Sequence, residues 1–276
     1  MLKRLLLCAA IGFAFSSNAQ QLRTPAASPT QTVKQDFGIS SVELIYSRPG
    51  IKGRQIFGDL VPWGKVWRTG ANSATRLKFN DDVMFGGQPL KAGEYAIYTV
   101  PNQNEWEIIV NKGSANWGTD YKQADDIMRV KVRSQALAAP VETFTMQFEN
   151  IKPSAMDLAI MWDKTAVRVP ITTDIDKKIM GQIDQMMNKD NRPYFAAAVY
   201  YLENGKDLNQ ALNWFDKAVE MNPNAYWMHY QRANALAKLG KKDEARKAAT
   251  KSMELATAQK NMDYVELNRK LIDSLK

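Results

Sequence analysis

From about Gln35 to Thr173, hydrophobic side chains recur at every second residue. Tyr95, Ile97 and Thr99 alternate with Ala96, Tyr98 and Val100, and Trp106, Ile108 and Val110 alternate with Glu105, Glu107 and Ile109. Met128, Val130 and Val132 continue the series, then Phe144, Met146 and Phe148, then Leu158, Ile160 and Trp162, then Val167, Val169 and Ile171. Turn-forming pairs separate these runs: Asn80-Asp81, Gly86-Gly87, Ala92-Gly93 and Pro101-Asn102. Many short strands joined by regular turns predict an antiparallel sandwich or barrel. Near Asp174 the period lengthens. Ile175, Ile179, Ile183, Met186 and Met187 mark one face of a helix, and Pro193 ends that segment. Helix pairs follow, and Ala211/Ala245, Ala218/Ser252 and Val219/Met253 each lie 34 residues apart. That is the tetratricopeptide period. Ala211, Phe215, Ala218 and Pro223 fall where the repeat wants small, large, small and proline. Two units, plus a final helix near 262–275, are fewer than such arrays usually need. The helix at 176–188 or the β-domain is therefore expected to cover an exposed end. The fold class is α+β in two domains: a β-domain over 35–175 and a tetratricopeptide-like all-α domain over 176–276.

The first residues carry a different pattern. Lys3 and Arg4 precede the apolar run Leu5–Phe15, and Ser17-Asn18-Ala19 sets small residues before a cut at Gln20. This is the layout of a secretory signal peptide over 1–19. The apolar run is shorter than the roughly 20 residues that span a bilayer. Cys8 has Leu7 before it, where a lipoprotein signal wants a small residue. Residues 20–34, rich in Thr, Pro, Ala, Ser and Gln, read as a disordered leader. The expected location is periplasmic or extracellular, with no transmembrane segment.

Composition narrows the chemistry. The chain has 276 residues, one His, one Cys and a net charge of +8. Cys8 leaves with the signal peptide, so the mature chain is expected to have neither thiol nor disulfide. Zinc normally recruits His and Cys, and only His229 remains, inside a predicted repeat helix. Asp81-Asp82 and Asp125-Asp126 lack the spacing of a calcium loop and read as turns. No glycine-rich phosphate motif occurs. Neither metal nor cofactor is expected. Export and a mild charge excess argue against nucleic acid.

One stretch is denser in special residues than strand building requires. It reads S-R-P-x-x-K-G-R-x-I-F-G from Ser47 to Gly58, then L-V-P-W-G-x-x-W-R-T-G-A-N-x-A-T from Leu60 to Thr75. L-x-A-G-x-Y-x-I-Y-T-V-P (Leu90–Pro101) and W-x-I-I-V-N (Trp106–Asn111) follow in order. Over about residues 35–173 the chain resembles the secreted bacterial family DUF2911, a domain of unknown function. The resemblance implies an exported β-rich domain, often of Bacteroidetes-type envelopes. It brings neither an established activity nor assigned catalytic residues.

The residues themselves suggest a cleft. Arg48, Arg54 and Arg68 stand among Gly and Pro, and arginine grips carboxylate or phosphate with a planar fork. Trp63 and Trp67 offer flat faces to sugar rings or cations, and Asn72 can donate and accept. Trp117 and Tyr121, in a second cluster, would close over them. The expected ligand is anionic or sugar-like. The competing reading is structural, with arginines stapling a long loop and tryptophans plugging the end of a sandwich. Arg129, Lys131 and Arg133 read as a basic ladder on a solvated strand face. On the helical register, Tyr200, Trp227, Tyr230, Asn234 and Lys238 line the concave face that binds peptides in such repeats. The alternative packs those aromatics against the β-domain or the 176–188 helix. Three function classes follow. The first is an envelope binding module, with a protein partner on the helices and a small ligand in the cleft. The second is a hydrolase of an envelope carbohydrate, which needs two carboxylates across a cleft drawn from Asp59, Glu94, Glu105, Glu107 and Asp120. The third is a purely structural module.

Overall fold

The computed structural model describes residues 24–113, 120–189 and 192–276. The chain divides into two units, Met1–Thr173 and Asp174–Lys276.

The first unit is a single antiparallel sheet. Its strands are β1 (Thr30–Phe37), β2 (Ser40–Ser47), β3 (Thr75–Phe79), β4 (Val83–Phe85), β5 (Gln88–Leu90), β6 (Gly93–Val100), β7 (Glu105–Asn111), β8 (Asp126–Lys152) and β9 (Ala155–Thr172). Their spatial order is β1-β2-β3-β6-β7-β8-β9-β4-β5, and the sheet does not close. Strand β1 starts inside the stretch expected to be a disordered leader. It is an edge strand, and residues 30–36 are all exposed or half-exposed, so it shows little of the apolar alternation that betrays an inner strand.

Strand β8 is long enough to serve two places. Its first part pairs with β7 and the rest with β9, and the register shifts between Ala136 and Val141 and again between Val141 and Thr145. Such irregularities bend a strand. The bend brings its second half against the chain that leaves β2. There the Ile51 amide donates to Glu142 O (2.8 Å), and the Phe144 amide donates to Pro49 O (2.9 Å). The Tyr46 hydroxyl accepts from the Met146 amide at 2.9 Å and also lies 2.9 Å from the Met146 carbonyl. The sheet thus folds over one core, as a sandwich does. Val42, Leu44, Leu77, Ile97, Ile108, Val130 and Ile160 fill it. At one end sit Phe57, Trp67, Trp106, Phe144 and Trp162, with Trp67 stacked on Trp162 at 5.8 Å. Rings of this size dominate core energetics, and edge-to-face and offset pairs add to simple burial.

Among its described residues the second unit has six helices: α1 (Asp176–Met187), α2 (Tyr194–Glu203), α3 (Leu208–Met221), α4 (Tyr226–Lys238), α5 (Lys242–Ala258) and α6 (Met262–Ser274). From α2 onward each packs on the next. Buried Ala211, Ala218, Ala233, Ala245 and Ala249 let the backbones approach, and Phe215 fills the space left between α2, α3 and α4. Asp207 caps α3, accepting from the Asn209 and Gln210 amides at 2.8 and 3.2 Å. Helix α1 is fastened to its neighbours by Asp176, which accepts from the Tyr200 hydroxyl (2.7 Å) and pairs with Lys206 (2.8 Å).

Candidate functional site

The chain between β2 and β3 builds a cavity of about 370 Å³ at the aromatic end of the sandwich. Two backbone devices shape it. The amide and carbonyl of Trp67 exchange hydrogen bonds with Thr99 of β6 at 2.7 and 2.9 Å, which pins the loop to the sheet. The following turn is then forced into left-handed backbone at Thr69 (φ 57°), Gly70 (φ 139°) and Asn72 (φ 59°). A β-branched residue avoids this region, and holding one there costs on the order of 1–3 kcal/mol. Thr69 is fully buried, and its hydroxyl bonds to Thr99 Oγ1 at 3.1 Å. Gly70 is obligatory, because a Cβ there would lie 2.9 Å from the Ser47 carbonyl oxygen. Asn72 donates to Ser28 O and Ser47 Oγ, both at 3.3 Å, and so ties down the segment that enters β1.

The cavity wall brings together four of the residues expected from sequence: Arg54, Trp67, Arg68 and Asn72. It adds Lys52, Leu60, Val61 and Trp162, and among the described residues it contains no carboxylate. Arg68 is half-buried, and its Nε is sealed from solvent without a hydrogen-bond partner. Arg54 donates to the Ile51 and Gly50 carbonyls at 3.0 and 2.6 Å. Among the described residues, Lys52, Arg54 and Arg68 form no ion pair. The carboxylate of Glu142 accepts from the Lys52 amide rather than from its ammonium group.

The other expected cleft residues lie elsewhere. Arg48 spans to β8, donating to Phe144 O (3.1 Å) and Thr145 Oγ1 (2.9 Å), and serves as a staple. Trp63 stacks on Phe57 at 5.6 Å. Gly58 permits this, since a Cβ there would meet Trp63 Nε1 at 2.6 Å. Trp67 is likewise ringed by Phe57, Trp106, Phe144 and Trp162. The indoles are occupied with one another, so the sugar-stacking part of the expectation loses its platform. Tyr121 does not close over the cleft. It packs on Tyr98 at 4.9 Å in a separate small cluster with Ala74, Ala96 and Ile109. Its hydroxyl donates to Asp126 (2.8 Å) and accepts from Arg129 (2.7 Å). Burial, and then the Asp126 bond, push the Tyr121 hydroxyl up to about 12. Trp117 lies outside the described residues.

The basic ladder is answered by acids on β7. Arg129 pairs with Glu107 at 2.6 Å and with Asp126 at 2.7 Å, and Lys131 pairs with Glu105 at 3.2 Å. The carboxylates considered for hydrolysis are thus committed to sheet-surface pairs at Glu105 and Glu107, and Glu94 pairs with Arg76.

In the helical unit, Lys238 donates to the Leu202 carbonyl (3.0 Å) and so clamps α4 to α2. Tyr200 is tied to Asp176; burial, and then that bond, push its hydroxyl up to about 12. Asn234 donates within its own helix to Tyr230 O. Trp227 stays 37% exposed beside Tyr226. Tyr226 and Tyr230 both meet Tyr264 of α6, at 4.8 and 5.6 Å, in a cluster the sequence reading missed. His229 is buried, with Nε2 2.9 Å from the Pro223 carbonyl.

A family profile described as "Protein of unknown function (DUF2911)" matches residues 28–171, more than half of the chain. The chain belongs to the DUF2911 family. In this member the matched region coincides with the sheet and carries the cavity. Two further profiles, both described as tetratricopeptide repeat, match residues 192–225 and 214–247. Helices α2 to α4 and the start of α5 are therefore tetratricopeptide repeats, a module suited to binding protein partners. No curated protein matches the chain. No helix among the described residues is long and apolar enough to cross a membrane.

Proposed function

We propose that this DUF2911 protein is an exported binding protein of the cell envelope. In this reading its helical unit engages a protein partner and its β-unit holds a small anionic ligand. The observation that carries the reading is Arg68. Among the described residues, a half-buried guanidinium with a sealed, unpartnered Nε stands in a cavity lined by two more cations and no acid. Leaving a buried donor unsatisfied costs about 1–3 kcal/mol, and more when the group is charged. A bound anion offsets that charge through the terminal guanidinium nitrogens, which are not sealed. The lining favours binding over glycoside hydrolysis, which needs two carboxylates flanking the bond.

Thermal unfolding in phosphate-free buffer tests the ligand part. Small anions should raise the melting temperature of the wild-type protein, neutral sugars should not, and Arg68→Ala should abolish the response. At a concentration about 100 times Kd, a ligand adds about 2.7 kcal/mol. A wild-type protein indifferent to every anion would refute the reading. Cell fractionation with N-terminal sequencing tests export. A chain that begins at Gln20 in the envelope fraction supports it, and an intact leader in the cytosol contradicts it.

A further inference from the structure

The cavity's charge and size narrow the ligand further. We infer that it takes a small phosphate monoester, with the phosphate against Arg68, Lys52 and Arg54 and the organic body along Leu60, Val61 and Trp67. The inference rests on the anion-binding reading above and adds the chemical class.

Charge balance comes first. Three cations edge the cavity, and Glu142, the neighbouring acid, is turned to a backbone amide. With the charge of Glu142 counted, a carboxylate's single negative charge leaves one cation uncompensated. A phosphate monoester carries about −1.5 to −2 at pH 7 and three strong acceptor oxygens. Those oxygens match donors that arrive from different directions: Arg68 from the turn before β3, and Lys52 and Arg54 from the turn after β2.

The backbone adds to the match. Successive amides in turns that mix left- and right-handed residues form concavities for anions. Thr69, Gly70 and Asn72 supply the left-handed residues of such a turn. Among the described residues, the amides of Gly70, Ala71 and Asn72 donate to no acceptor.

Size comes last. At about 370 Å³ the cavity lies in the range of small-molecule sites rather than of bare ions. Beyond the cations, Ser28 and Asn72, its side-chain wall is apolar, formed in the main by Leu60, Val61, Trp67 and Trp162. The indole N–H groups are already committed, that of Trp67 to Gly70 O and that of Trp162 to Glu142 O. The two indoles therefore offer the organic body packing rather than hydrogen bonds.

Isothermal titration calorimetry on the full protein tests this with phenyl phosphate, glucose 6-phosphate, inorganic phosphate and benzoate. At least one ester should bind at least tenfold more tightly than both benzoate and inorganic phosphate. Arg68→Met should weaken that ester at least tenfold, and Lys52→Ala several-fold, while the circular dichroism of both variants stays that of the wild type. Benzoate binding as tightly as the esters, with the same Arg68 dependence, overturns the phosphate assignment and leaves the anion site standing. Inorganic phosphate matching the esters overturns the organic body. Absence of binding by all four probes, or binding that Arg68→Met leaves unchanged, overturns both the inference and the reading beneath it.

Discussion

Replacing Arg68 by methionine should make the protein more stable. Methionine keeps an unbranched apolar stem of similar reach and removes the charged head. In the wild type that head includes a buried Nε with no partner. Relief of one unsatisfied buried donor is worth about 1–3 kcal/mol. Some packing of the stem is lost, so a net gain of about 1–2 kcal/mol is expected. For a unit of this size, 1 kcal/mol moves the melting temperature by about 2–4 °C, which gives a rise of about 2–8 °C. Arg48→Met is the matched control. Arg48 donates to Phe144 O and Thr145 Oγ1, so its loss strands a backbone carbonyl and should cost about 1–3 kcal/mol. Scanning calorimetry in dilute, anion-poor buffer measures both. If Arg68→Met lowers the transition as far as Arg48→Met does, Arg68 is a staple like its neighbour, and the reasoning fails. A residue that weakens the empty fold for the sake of a ligand is an ordinary stability–function compromise.

Three further outcomes are expected. Tyr46→Phe removes the hydroxyl that accepts from the buried Met146 amide and should cost about 1–3 kcal/mol in urea titrations; a neutral change would show that the seam between β2 and β8 does not depend on it. Gly70→Ala forces a Cβ to 2.9 Å from a carbonyl oxygen at φ 139°, so a loss on the order of 1–3 kcal/mol is expected, and an unchanged urea midpoint would contradict the turn geometry. The Tyr121 hydroxyl has its folded-state pKa raised from 10.0 to about 12. Its contribution is therefore fully present below pH 10 and is lost as pH rises through that window. Melting curves across that range should fall more steeply for the wild type than for Tyr121→Phe, and parallel curves would refute the assignment.

What the sequence disclosed followed the strength of each local signal. The inner strands were legible because burial on one face imposes alternation, as at Trp106, Ile108 and Val110. Strand β1 was not, because an edge strand with Thr, Lys and Asp outward and two Gln on its other face carries almost none. The repeat was legible through Ala211, Ala218 and Ala245, where helices meet too closely for larger side chains. The cavity was half legible. The density of Gly, Pro and Arg between β2 and β3 marked the place. The division of labour between Arg48 and Arg68 was invisible, since it depends on which carbonyls the bent strand β8 presents. Tyr121 was misplaced because nothing local shows that it packs on Tyr98 beside Asp126 and Arg129. Lys52 escaped notice as an ordinary exposed lysine, and Tyr264 because it meets Tyr226 and Tyr230 only once α6 is docked.

On the reading above, Arg68 waits in the β-unit for an anion. The most direct measurement is the 15N–1H resonance of its Nε, assigned by its disappearance in Arg68→Met and followed during titration with phenyl phosphate. Binding at the guanidinium should move that resonance saturably. A resonance that stays fixed at saturating ligand would refute the anion site.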